Sequence, residues 1–104
     1  MPEKPSRLIW APKADQDLLD IWNHYAAEAS TETADKIVEH IVMTARRVGG
    51  LPMSGRSRDD LKQGARSVLA HPYVVFYRVM GTDVEILRVL HERRNLKPEL
   101  TKRD

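Results

Sequence analysis

The chain has 104 residues, 41% of them hydrophobic and 31% charged, which is the balance of one small globular domain rather than of a disordered segment. It holds no cysteine, so disulfides, thiolate nucleophiles and cysteine-ligated zinc are excluded together, and a reducing, cytoplasmic setting is expected. The net charge of +2 conceals a split, because residues 1–45 carry four Lys/Arg against eight Asp/Glu while residues 46–104 carry thirteen against seven.

Met1 to Ser6 lacks the apolar stretch of a secretion signal, and no segment approaches the ~20 apolar residues of a membrane span, so no membrane association is expected. Arg7-Leu8-Ile9-Trp10 is a short apolar run ahead of Ala11-Pro12, which predicts a strand leading into a helix with proline near its first position. Ala14, Leu18, Ile21, Trp22 and Tyr25 fall on one stripe of that helix, which runs to about Glu28. Asp15 and Asp17 in its first turns complement the helix dipole. Trp22 is placed in the core.

Ser30 and Thr31 offer a cap for a second helix, whose apolar face is Ala34, Ile37, Val38, Ile41, Ala45 and Val48. It ends at Gly49-Gly50, with Arg46 and Arg47 in the last turn. Leu51 to Gly64, rich in glycine, proline and aspartate, is a loop, with room for a helical turn over Arg58 to Lys62. Three strands follow: Ala65 to Ala70, Tyr73 to Met80 and Val84 to His91, separated by turns at His71-Pro72 and Gly81-Thr82-Asp83. The order β-α-α-β-β-β predicts an α+β fold, an antiparallel-rich sheet with the αα-hairpin on one face.

The two long strands are apolar in both phases. Val75 and Val79 alternate with Val74 and Phe76, and Ile86 and Leu90 with Leu87 and Val89. A sheet wet on one face alternates more cleanly. Either a strongly twisted small sheet buries these residues by itself, or the face away from the helices is covered by Asn95 to Leu100 and by a partner.

No serine nucleophile elbow, Walker loop, dinucleotide fingerprint or HExxH pair is present, and no cofactor is expected. The four histidines are scattered through different elements and His91-Glu92 is a weak pair, so no metal site is expected; His24 and His40 are surface or packing residues of the helices. The chemistry left is cationic: Arg56 and Arg58 in the loop, Arg66, Arg78 and Arg88 on the three strands, then His91, Arg93 and Arg94. Arg78 and Arg88 are expected to approach one another across the hairpin. Each of these arginines could equally be a structural ion pair with Glu85, Asp59 or Asp60.

Taken together, Ile21-Trp22-x-x-Tyr25, Leu51-Pro52-x-x-Gly55-Arg56-x-Arg58-Asp59-Asp60-Leu61, Gly64-x-Arg66, Tyr73-Val74-Val75-Phe76-Tyr77-Arg78-Val79 and Ile86-Leu87-Arg88-Val89-Leu90-His91-x-x-Arg94 resemble the ParE-type toxins of the RelE/ParE superfamily. The resemblance covers nearly the whole chain as a single domain, and it implies the same βααβββ fold. It also implies a toxin of a type II toxin–antitoxin system, neutralised in a hetero-oligomer by a ParD-like antitoxin whose acidic C-terminal segment folds on binding. Arg56, Arg58, Arg66, Tyr73 and Arg78 are the candidate antitoxin-binding residues.

Within the superfamily the resemblance implies one of two actions. ParE-like members poison DNA gyrase by binding and arrest growth without chemistry of their own, which assigns target contact to Arg88, His91, Arg93 and Arg94. RelE-like members cleave mRNA on the ribosome, which needs a base, an acid and cations around the phosphorane. That alternative falls to Arg66, His91 and Arg94, with no tyrosine after Arg94 to complete the set. A third possibility is an inactive, binding-only homologue.

Overall fold

A computed structural model describes residues 7–94. Strand β1 (Leu8–Trp10) leads directly into helix α1 (Pro12–Glu28), which Pro12 opens with its fixed φ and missing N–H. Helix α2 (Thr31–Gly50) is capped by Ser30, whose side-chain oxygen accepts from the Thr33 amide at 3.0 Å. Strands β2 (Arg56–Ser57), β3 (Ala65–Ala70), β4 (Tyr73–Met80) and β5 (Asp83–His91) complete the described elements. The expected α+β order is therefore found, with one addition: the loop contributes the two-residue strand β2. The remainder of that loop does make a turn, in which the Leu61 and Lys62 amides donate to the Arg58 carbonyl.

The sheet runs β1-β5-β4-β3-β2, antiparallel throughout except for the parallel pairing of β1 with β5. Both helices lie on one face. There Ala14, Ile21, Ile41, Ala45 and Val48 of the helices close on Val75, Tyr77, Val84, Ile86 and Val89. Trp22 is only half-buried and spans the helical pair, its indole N–H donating to Asp35 at 2.8 Å. It is thus a bridge between helices, with part of its ring in water. His24 and His40 are exposed, as expected.

The opposite face holds a second, smaller cluster: Leu61, Phe76 and Leu90, with Val74 against them. Leu61 comes from the loop turn, so the chain supplies part of the cover by itself. Leu69, on the same face by its pairing with Val74, remains 57% exposed. The cover assigned to Asn95 to Leu100 lies outside the described residues.

Candidate functional site

Period-two geometry and the strand register sort the cationic side chains. Ser67, opposite Arg56, and Ala65, opposite Arg78, share the open face with Phe76, which lies across from Ser67. Arg66, by contrast, is opposite Tyr77 on the helical side, and Tyr73 points the same way. The five residues expected to receive an antitoxin are therefore divided: Arg56, Arg58 and Arg78 border the open face, whereas Arg66 and Tyr73 are turned inward.

On the open face Arg58 sits over the Phe76 ring, 5.7 Å from its centroid, and pairs with Asp60 at 3.2 Å. That hydrogen bond holds the Asp60 carboxyl below its ordinary value. Arg78 pairs with Glu85 at 2.6 Å, the cross-strand partner that the alternative ion-pair reading anticipated. Arg56 is exposed on the edge strand. Cations thus frame an apolar stripe of Leu69, Val74, Phe76 and Leu90.

The inward pair does different work. Arg66 donates to the Gly55 carbonyl at 2.6 Å, while the buried Tyr77 hydroxyl donates to the Pro52 carbonyl and accepts from the Gly55 amide, each at 2.8 Å. The loop before β2 is latched to the sheet, with Leu51 and Met53 left outside at 69% and 66% exposure. A Cβ at position 55 would collide with the Tyr77 hydroxyl, so only glycine allows this approach. Burial pushes the Tyr77 phenol up, against the smaller opposing pulls of the Gly55 amide and of Arg66.

Arg78 and Arg88 do not meet. Leu87 is an extra residue in β5, so Phe76 faces Arg88 while Arg78 faces Glu85, and the two guanidinium groups turn to separate acids. Arg88 is held by Asp17 of α1 through two bonds of 2.8 and 2.9 Å. Asp17 is the partner that local sequence reading missed, 71 residues away.

Past this bulge the strand ends in a compact basic turn. His91 is half-buried, its ring 5.4 Å edge-on from Tyr73, which in turn meets Tyr25 at 6.5 Å and hydrogen bonds to it. Burial first, and that hydrogen bond second, push the Tyr73 phenol up. The His91 Nδ1 accepts the Arg93 amide at 3.1 Å. The Arg94 amide donates to the His91 carbonyl at 3.0 Å, and the Arg93 and Arg94 side chains are exposed.

The three residues of the ribonuclease alternative are spread out. Arg66 is on β3, two strands from β5, and its pairing through Tyr77 to Ile86 puts it several residues along from His91. Strand spacings place the two backbone positions about 10 Å apart across the sheet and roughly 13 Å along it.

Two helices on one face of this mixed sheet, with a cationic rim on the other, define a RelE/ParE-like α+β protein. Its backbone superposes on a solved structure described as the chromosomal ParDE TA system from P. aeruginosa with a TM-score of 0.74, at 29% identity, covering 84% of this chain and 96% of that one. The fold is shared as well with the toxin–antitoxin complex RelBE2 from Mycobacterium tuberculosis, at a TM-score of 0.61 and 22% identity, over 85% and 99% of the two chains. Residues 8–96 match the family model described as ParE toxin of type II toxin-antitoxin system, parDE. Toxin ParE1 of Caulobacter vibrioides is 36% identical over 97 residues, 93% of this chain and 98% of the relative. Toxin ParE3 of the same organism is 32% identical over 93% and 97%. The chain belongs to the ParE toxin family.

Proposed function

We propose that this ParE-type toxin arrests growth by binding DNA gyrase, with the basic turn at the end of β5 as the contact surface. His91, Arg93 and Arg94 present the charge, and Arg88 supports them from behind. The observation that carries this reading is the layout of the cations. A phosphorane needs acid, base and cation around one phosphorus atom. Here Arg66 is committed to the Gly55 carbonyl on the far side of β4, and one His91 nitrogen is committed to a backbone amide. An exposed basic turn suits binding; a dispersed set does not suit strand cleavage.

Neutralisation follows from the open face. An acidic amphipathic antitoxin segment, folding as it binds, would lay apolar side chains over Leu69 and Val74 and carboxylates against Arg56, Arg58 and Arg78. The assembly is then a toxin–antitoxin hetero-oligomer of the cytoplasm. No helix among the described residues is long and apolar enough to cross a membrane.

Incubation of the purified toxin with gyrase, ATP and supercoiled plasmid tests the reading. Accumulation of cleaved plasmid, prevented by antitoxin, is the expected result. Intact plasmid at every toxin level, with new codon-phased 5′ ends on translated mRNA after induction, would establish the ribonuclease instead. Absence of both effects and of growth arrest would leave a binding-only homologue.

A further inference from the structure

Among the described residues, strand β5 loses its outer neighbour halfway along its length. The pairing with β1 runs from Leu8 opposite Val84 to Trp10 opposite Ile86, the Ala11 amide closes it with a bond to the Ile86 carbonyl at 2.9 Å, and the chain then leaves as α1. Directly beyond, Leu87 opens the register against β4. A bulge on a bare edge is a weak point, because the ladder is interrupted on one side and absent on the other. It occurs just where the strand must carry its basic turn.

Asp17, in the second turn of α1, occupies the gap. Its Oδ2 accepts the Val89 amide at 2.9 Å and the Arg88 Nε at 2.8 Å, and its Oδ1 accepts the Arg88 Nη2 at 2.9 Å. One carboxylate does what the missing strand would have done for Val89, and it engages Arg88 in a two-pronged fork whose planar geometry fixes direction as well as distance. Both side chains are largely shielded, at 11% and 15% exposure, so water is a poor substitute for either partner.

Everything downstream depends on where Val89 stands. Two residues further, His91 packs on Tyr73 and accepts the Arg93 amide, and the Glu92 amide donates to the Pro72 carbonyl at 2.9 Å. We infer that Asp17 is a positioning residue for toxin action: through Arg88 and the Val89 amide it holds the end of β5 so that His91, Arg93 and Arg94 face the target together. The inference rests on the proposed role of that basic turn, although not on the identity of the target. Nothing in it requires Asp17 to touch the target.

The fork distinguishes charge from shape. Asp17→Asn keeps the size and one acceptor oxygen but removes the charge and one prong; Asp17→Glu keeps the charge on a stem one methylene longer. Growth arrest after induction in cells reads toxin action whatever the target, while amide hydrogen exchange on the purified toxin–antitoxin complex reads the strand. Expected for Asp17→Asn is at least a tenfold loss of arrest potency, with faster exchange confined to Val89–Arg94 and protection in α2 and β4 unchanged. Asp17→Glu should regain most of both. Should Asp17→Asn fail to fold, Arg88→Lys, which keeps the charge and loses the fork, must give the same confined exchange and the same loss.

A folded Asp17→Asn toxin that arrests growth as wild type does would overturn the inference, and so would a loss of arrest that Asp17→Glu does not relieve. Wild-type arrest without trapping of gyrase would remove the gyrase reading only, leaving the positioning role to be decided by the variants. Wild-type toxin that arrests nothing would remove both.

Discussion

The two faces of the sheet are built from similar residues and do different things. On the helical face twelve buried residues, from Ala14 to Val89, form one continuous core. On the open face the buried hydrophobic cluster among the described residues is Leu61, Phe76 and Leu90, with Arg58 over the Phe76 ring. Apolar content alone does not tell the faces apart, since Val75 and Phe76 are neighbours in β4 and both are fully buried. The difference lies in what completes each layer: two helices of the same chain on one side, a loop turn and charged rim on the other. Stability should therefore belong mostly to the first face and recognition to the second.

Truncation in the helical core tests the stability half most severely. Ile41→Ala removes a fully buried side chain between α2 and the sheet and should lower the unfolding free energy by about 2–5 kcal/mol, measured by denaturant titration. Tyr77→Phe keeps the ring and removes the hydroxyl shared by Pro52 and Gly55. The expected cost is about 1–3 kcal/mol, with faster amide exchange at Gly55. A loss below the lower figure would mean that the latch is not what holds the loop.

Alkaline pH probes the same core. Burial raises the Tyr73 and Tyr77 phenols in the folded state above the value of about 10 they have when unfolded. Their contribution to stability is thus complete below that pH and is lost as pH rises towards the folded values. Tyrosinate absorbance from these two rings should appear together with unfolding; ionisation in the intact fold would contradict it. The smallest effect on stability belongs to the open face. Arg56→Ala, at an exposed edge position, should change stability by no more than about 0.5 kcal/mol while weakening antitoxin binding. Equal effects of Arg56→Ala on both measurements would erase the distinction between the faces.

How much of this was legible beforehand varies with the range of the interaction. Helix limits were, because Pro12, Ser30 and Gly49-Gly50 act within one turn of where they stand. The Arg78–Glu85 pair was a foreseen alternative, since a hairpin sets its own register. The bulge at Leu87 was not, because β5 is apolar in both phases and shifting one residue leaves no trace in its pattern. Arg88 and Arg78 were expected to meet because the acid that draws Arg88 away, Asp17, lies 71 residues from it. Asp17 looked like a dipole complement because its role depends on a strand far along the chain. Trp22 looked fully buried because an apolar stripe shows direction without depth.

The split in charge also gives the molecule a long-range polarity. Helices α1 and α2 hold seven acidic against four basic residues, whereas residues 51–94 hold eight basic against five acidic, so the toxin carries an electric asymmetry between its helical layer and the remainder. An acidic partner approaching through solvent applies a torque before any atoms touch, turning the rim towards itself. Such steering acts on the rate of encounter and fades once ionic strength brings the Debye length to about 8–10 Å or less. Salt should accordingly slow capture of the toxin far more than it hastens release.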